Sequence, residues 1–235
     1  MSNRPGGELA KRPLQFIWLC DCSGSMSGKK IESLNFAINE ALPAMRQVAN
    51  ENPNVRVQVR AITFASGAKW HVENPTDVES FAWSPVTAWG ATDMGRAIDL
   101  ACDALEIDKM PERGMPPILV LVSDGQPTDD FNSALERLVR MRWGAKTVRI
   151  AIAIGDDADI GVLQQFMGGD AREIQPLVAT NAQDLVKFIR WVSTVPLSAA
   201  SRPASRPEGS TSESHVPIPP PPLPSKDPID PSDVF

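Results

Sequence analysis

Five residues of this chain carry oxygen donors at spacings that suit one small cation. Three of them, Asp21, Ser23 and Ser25, lie in Phe16-Ile17-Trp18-Leu19-Cys20-Asp21-Cys22-Ser23-Gly24-Ser25-Met26, an apolar run that ends abruptly in Asp-x-Ser-x-Ser. The fourth is Thr92, in Gly90-Ala91-Thr92-Asp93, and the fifth is Asp124, in Ser123-Asp124-Gly125. Alternate residues of an extended segment share a side, so Asp21, Ser23 and Ser25 converge if the turn after the strand curls inward. Carboxylates and hydroxyls are hard ligands, which suit Mg²⁺ or Mn²⁺ rather than zinc. Two carboxylates neutralise a divalent ion, and a shell otherwise made of hydroxyls leaves it electrophilic. Such an ion can accept a carboxylate from a partner in an open position. The same residue types also serve plain structural ends, as helix caps at Asp21 and Ser23 and a turn residue at Asp124.

The elements that must position these groups read as alternating strands and helices. Leu14 to Cys20 is apolar almost throughout, as a central parallel strand is. After Gly28, Ile31, Leu34, Ile38, Leu42, Met45 and Val48 recur at the helical period, with Pro43 expected to kink the helix. Val55 to Phe64 alternates apolar and polar residues and is placed nearer a sheet edge. Ala68 to Val72 follows Ala65-Ser66-Gly67 as a short antiparallel partner. Residues 74–89 lack a period and read as a long functional loop with room for a short strand at its start; Trp70 is expected in the core, and Trp83 and Trp89 are either core or an apolar collar around a partner's contact. A helix starts at Ala91 or Thr92. Pro117 to Ser123 is a buried strand, and Asp129 or Asp130 caps the helix after it. Val148 to Ile154 is a third buried strand. Ile160 to Met167 is a short helix, Ile174 to Leu177 a short final strand, and Asp184 to Val195 the last helix. The fold class is therefore α/β: a Rossmann-like open, mostly parallel sheet with one antiparallel edge strand and helices on both faces. In such sheets ligands sit outside the carboxyl ends of strands at a switch point. Asp21 and Asp124 both stand at such ends.

With 235 residues, 42% of them hydrophobic, the chain can bury a sizeable core. Its net charge of −6 gives no electrostatic case for nucleic acid. No apolar run approaches the roughly 20 residues of a membrane helix, and the first residues have no signal-peptide pattern. Cys20, Cys22 and Cys102 are too few for a disulfide framework, so the expectation is a cytoplasmic protein with reduced thiols. Cys20 and Cys22 are expected on opposite faces. Half of the 22 prolines follow Val195. The division is thus a flexible N-terminus over 1–12, a folded domain over 13–195 and a disordered, Pro-rich tail over 196–235. Gly24 to Lys30 looks superficially like a phosphate loop, but it is one residue short between glycines and has Lys30 where Ser or Thr is needed. Lys29 and Lys30 read as a solvated helical turn. His71 and His215 have no partners at metal or catalytic spacing.

The three-part pattern Asp21-x-Ser23-x-Ser25, Thr92 and Asp124 resembles the metal-ion-dependent adhesion site of von Willebrand factor A domains, over about residues 13–195. That resemblance implies that the serines and threonine bind metal directly or through water, and that an aspartate acts through water. Asp124-Gly125-Gln126-Pro127-Thr128-Asp129-Asp130 and Phe188-Ile189-Arg190-Trp191-Val192-Ser193 resemble the bacterial TerY-like group linked to tellurium resistance and stress response. That further resemblance implies a protein kinase and a PP2C-type phosphatase as partners. The expectation is a non-enzymatic module in which the ion receives an acidic residue of a protein partner. The alternatives are a Mg²⁺-dependent phosphate-ester hydrolase, which lacks a candidate base, and a metal that only fixes loops.

Overall fold

The computed structural model describes residues 11–168, 175–201, 219–224 and 234–235. Six strands form one sheet in the order β3-β2-β1-β4-β5-β6. They are β1 (Arg12–Asp21), β2 (Val55–Ala65), β3 (Gly67–Asp77), β4 (Ile118–Ser123), β5 (Val148–Ile154) and β6 (Leu177–Ala179). Every neighbouring pair is parallel except β2 with β3, so the antiparallel strand is an edge. The helices are α1 (Lys29–Glu51), α2 (Met94–Ala104), α3 (Phe131–Arg140), α4 (Ile160–Met167) and α5 (Ala182–Ser201), with 3-10 turns at Gly24–Met26 and Gly144–Lys146.

The strand sequences explain the two-sided core. Phe16, Trp18 and Cys20 of β1 pack with α1 and α5, while Ile17 and Leu19 pack with α2, α3 and α4. Side chains alternate between faces, so an uninterrupted apolar strand needs cover on both. β5 shows the fit in detail. Its Ile150, Ile152 and Ile154 face one side, and its apolar residues on the side filled by Phe131, Trp143 and Phe166 are two alanines, Ala151 and Ala153. Burying a Leu, Ile or Phe side chain contributes about 1.5–3 kcal/mol. The two layers are therefore what hold the strand ends in place.

Several boundaries differ from expectation for physical reasons. β3 reaches Asp77 rather than Val72, through Pro75. An edge strand has unpaired N–H positions, so proline there need not remove a ladder bond. α1 is one helix across Pro43. α5 likewise passes Pro196 to Ser201, beyond the expected end at Val195. Cys20 and Cys22 belong to the same core cluster, not to opposite faces, because residues two apart on a strand share a side. Ile174, His215 and most of the expected N-terminal and tail segments lie outside the described residues. Two short pieces of the tail lie within them. Lys187 Nζ donates to the Leu223 carbonyl. Val234 bridges to Asn181, and the Phe235 N–H donates to the Thr180 carbonyl at 3.2 Å.

Candidate metal centre

β1 runs to β2 on one side of the sheet, and the chain later returns to place β4 on the other side of β1. The carboxyl ends of β1 and β4 therefore flank the switch point, where a crevice opens in sheets of this kind. Asp21 ends β1, and Asp124 follows the last residue of β4. Both are buried, at 0% and 4% exposure.

The 3-10 turn after β1 brings the serines round. Asp21 Oδ1 accepts from the Ser23 N–H at 2.8 Å. Ser23 Oγ and Ser25 Oγ are 3.0 Å apart, and Ser25 Oγ donates to Asp124 Oδ1 at 2.8 Å. Thr92 is buried just before α2. Its loop is tied to the turn by the Gly24 N–H, which donates to the Gly90 carbonyl at 3.0 Å. Gly125 faces the space between Thr92 and Asp21. A Cβ built on it would stand 3.3 Å from Thr92 Oγ1 and 3.5 Å from Asp21 Oδ2. All five expected residues thus lie together on one rim. The absent side chain of Gly125 leaves room for a small group between two of them.

The electrostatics of this rim favour a cation. Burial pushes the Asp21 carboxyl up to about 6, against the hydrogen bonds from Ser123 and Ser23, and the nearby Asp124 carboxylate pushes the same way. Ser123 Oγ donates to Asp21 Oδ2 at 2.5 Å. Lys30 supplies one positive charge: its Nζ donates to Asp124 Oδ2 at 2.6 Å and stands 3.3 Å from Asp157 Oδ1. Burial pulls the Lys30 ammonium down, but the bonds and charges of Asp124 and Asp157 outweigh it, and its pKa lies above the ordinary lysine value. Two buried carboxylates with three hydroxyls and one ammonium fit a small, hard divalent ion. Among the described residues no group of three or more His, Cys, Asp or Glu side chains is arranged to hold a metal. A site with two carboxylates and three hydroxyls does not need one.

Lys30 corrects the sequence reading. Its side chain is 12% exposed and paired, not solvated. One signal was available: a cation in the first turn of a helix is disfavoured by the helix dipole unless a carboxylate faces it. Thr128 was also missed. Its N–H donates to the Thr92 carbonyl at 2.9 Å, and its Oγ1 accepts from the Thr92 N–H at 3.0 Å. It thereby fixes the Thr92 loop from both sides. The neighbouring acids do separate jobs. Asp129 accepts from the N–H groups of Gly95 and Arg96, each at 2.8 Å, and so caps α2 from another loop. Asp130 caps α3 through the Ser133 N–H at 3.1 Å. Asp93 ties the hairpin to the rim, accepting from the Gly67 N–H at 2.7 Å and from Thr128 Oγ1 at 3.0 Å.

The remaining candidates fall outside the rim's chemistry. His71 Nε2 lies 2.9 Å from the Ser84 carbonyl, and its ring packs on Trp83. Trp83 is buried, whereas Trp89 is 52% exposed. Trp70 is half-buried beneath the Arg60 guanidinium, 3.8 Å from its ring centre, rather than fully in the core. Burial pushes the Cys22 thiol up to about 12, so it stays protonated near neutrality.

The von Willebrand factor type A domain model matches residues 16–126. Human inter-alpha-trypsin inhibitor heavy chain H4 is 26% identical over 209 residues, covering 82% of this chain and 21% of that protein. A von Willebrand factor type A structure from Catenulispora acidiphila has a TM-score of 0.59 at 16% identity, over 80% of this chain and 43% of that one. Proximal thread matrix protein 1 from the mussel byssus has a TM-score of 0.58 at 15% identity, over 80% of this chain and 49% of that one. Another structure of that mussel protein, described as having a zinc-occupied MIDAS motif, has a TM-score of 0.53 at 13% identity, over 81% of this chain and 47% of that one. The chain therefore spans about a fifth of the human relative and less than half of these solved chains. At such identities the structural likenesses show the fold alone. The match over residues 16–126 and these structural likenesses show that the six-stranded sheet with its flanking helices is the fold of von Willebrand factor type A domains.

Proposed function

We propose that this domain is a metal-dependent protein-recognition module. Asp21, Ser23, Ser25, Thr92 and Asp124 would hold a divalent cation, and an acidic side chain of a partner would complete its shell. The observation that carries this reading is the convergence of two buried carboxylates and three hydroxyls at the sheet's switch point, with a lysine as their nearest cation. A bound divalent ion would supply an electrophilic position for the incoming carboxylate. The protein's part is positional. Ser123 and the Ser23 N–H hold Asp21, Ser25 links Ser23 to Asp124, and Thr128 holds the Thr92 loop.

The all-oxygen donor set favours Mg²⁺ or Mn²⁺. The zinc named for the mussel protein makes Zn²⁺ a further ion to test. We read the site as one of recognition rather than catalysis, because both carboxylates are engaged and no described histidine stands beside them. Its context is proposed as cytoplasmic, in keeping with three free, buried cysteines. Among the described residues no helix is long and apolar enough to cross a membrane. A place in a TerY-like stress and tellurium-resistance system, with a kinase and a PP2C-type phosphatase as partners, rests on the resemblance of residues 124–130 and 188–193 to that group.

The test is capture of partners from native extract by wild-type and Asp21→Ala protein, each in Mg²⁺ and in EDTA. Proteins retained only by wild type in Mg²⁺ are the expected result. The same proteins in all four conditions would reduce the site to a structural role.

A further inference from the structure

Beside the metal loop lies a groove that the five rim residues do not use. It has two connected parts, cavities of about 260 Å³ and 160 Å³ that share Cys22, Thr63, Lys69 and Trp89. Each exceeds by several times the roughly 30 Å³ that one water occupies in the liquid, so the groove has room for a side chain. It is contiguous with the rim, because Cys22 stands between Asp21 and Ser23. Two backbone bonds set its walls. The Cys22 N–H donates to the Phe64 carbonyl at 2.8 Å, and the Trp89 N–H donates to the Cys22 carbonyl at 2.7 Å.

Three features give the groove a chemistry. Thr63 is only 5% exposed, lines both parts, and among the described residues its Oγ1 has no hydrogen-bond partner. A buried hydroxyl without a partner is costly, so an acceptor brought to it would be held. Lys69 is exposed, lines both parts and forms no ion pair among the described residues. Its ammonium is near enough to act on the Cys22 thiol and the His71 imidazole. Trp89 offers an exposed indole that can cover an aliphatic stem. A donor hydroxyl, an ammonium with no ion pair among the described residues and an indole lining one groove are complementary to a carboxylate on a short apolar stem.

We infer that the groove lined by Cys22, Thr63, Lys69 and Trp89 is a second subsite, which takes a second acidic side chain of the segment whose first acid faces the metal centre. This rests on the recognition reading given under the proposed function. The partner is then a segment with two acids at a fixed spacing. Lys69 and Thr63 determine specificity, and the five rim residues determine metal dependence. Repulsion by a net charge of −6 would weaken the approach of an acidic segment, so local positive charge beside the rim is what such a ligand requires.

The test is selection of random peptides on the full chain in Mg²⁺ and in EDTA, with wild-type, Lys69→Glu and Thr63→Val protein. Lys69 is exposed and Thr63→Val conserves shape, so both variants should fold. Wild type is expected to enrich, in Mg²⁺ alone, peptides with two acids at one spacing. Lys69→Glu should keep the first acid and replace the second with Lys or Arg. Thr63→Val should bind the two-acid peptide about tenfold more weakly, as loss of one charge-assisted hydrogen bond predicts. The same preference at the second position in wild type and Lys69→Glu, whether acidic, basic or apolar, would overturn the subsite while leaving the metal reading intact. A pool unaffected by EDTA, or an empty one, would remove the metal reading and this inference with it.

Discussion

Two pairs of aspartates at or beside this rim do different work. Asp93 and Asp129 are answered largely by the fold: three backbone N–H groups and the Thr128 hydroxyl fill their oxygens. Asp21 and Asp124 are more deeply buried, yet a single backbone N–H, two serine hydroxyls and one lysine answer them. A carboxylate bonded to fixed amides serves as a clamp. Asp124, which faces a hydroxyl and an ammonium, can turn toward a cation without leaving an amide unpaired, and Asp21 has one amide, the Ser23 N–H, to give up. The contrast separates loop fixation from ion binding more sharply than the count of acids does.

Substitutions can break this comparison, and the largest effect is expected at Asp21. Asp21→Ala should remove metal-dependent association altogether while circular dichroism shows a retained fold. Asp129→Ala should do the reverse. It deletes the cap on α2, costs about 1–2 kcal/mol of stability in urea unfolding, and leaves the metal response in place. Lys30→Met comes next. Its ammonium competes for Asp124, so its removal should tighten divalent-ion binding about tenfold, read by calorimetric titration, since a competing unit charge in a solvent-screened, partly exposed pair is worth about 1.4 kcal/mol. The chelated variant should also be less stable, because Asp124 loses its ion pair.

The smallest expected effect is a pH dependence away from the rim. Burial holds the His71 imidazole below its ordinary pKa of 6.5, and the Lys69 charge adds to this, against the bond with the Ser84 carbonyl. Between the folded and unfolded values the unfolded chain binds more protons, so this group's contribution makes stability rise as pH increases toward 6.5. Urea midpoints of His71→Gln, compared with wild type from about pH 5 to about pH 7.5, should lack that part of the slope.

Strand and helix identity was legible because the periods are clean. The runs ending at Asp21 and Asp124 are apolar on both faces, and α1 repeats every three to four residues. Element ends were less legible where proline misled. Pro75 lies in an edge strand, and Pro43 and Pro196 lie within helices that pack on each other. The expected ligands were legible because three of them share one turn, Asp124 opens the loop after a buried strand and Thr92 closes the loop before a helix. The groups that hold them were not. Lys30 meets a carboxylate 94 residues away, and Ser123 meets one 102 residues away. Only the strand order brings those partners together. The unpartnered hydroxyl of Thr63 had no sequence signal at all, since a threonine in a buried strand usually finds a bond.

The central claim is that Asp21 and Asp124 hold a divalent ion whereas Asp129 holds a loop. Mn²⁺ titration followed by loss of the free-ion electron paramagnetic resonance signal tests it directly, on wild-type, Asp21→Ala, Asp124→Ala and Asp129→Ala protein. The account predicts one binding site in wild type and in Asp129→Ala, and none in the other two variants. Equal binding by all four proteins, or by none, would contradict it.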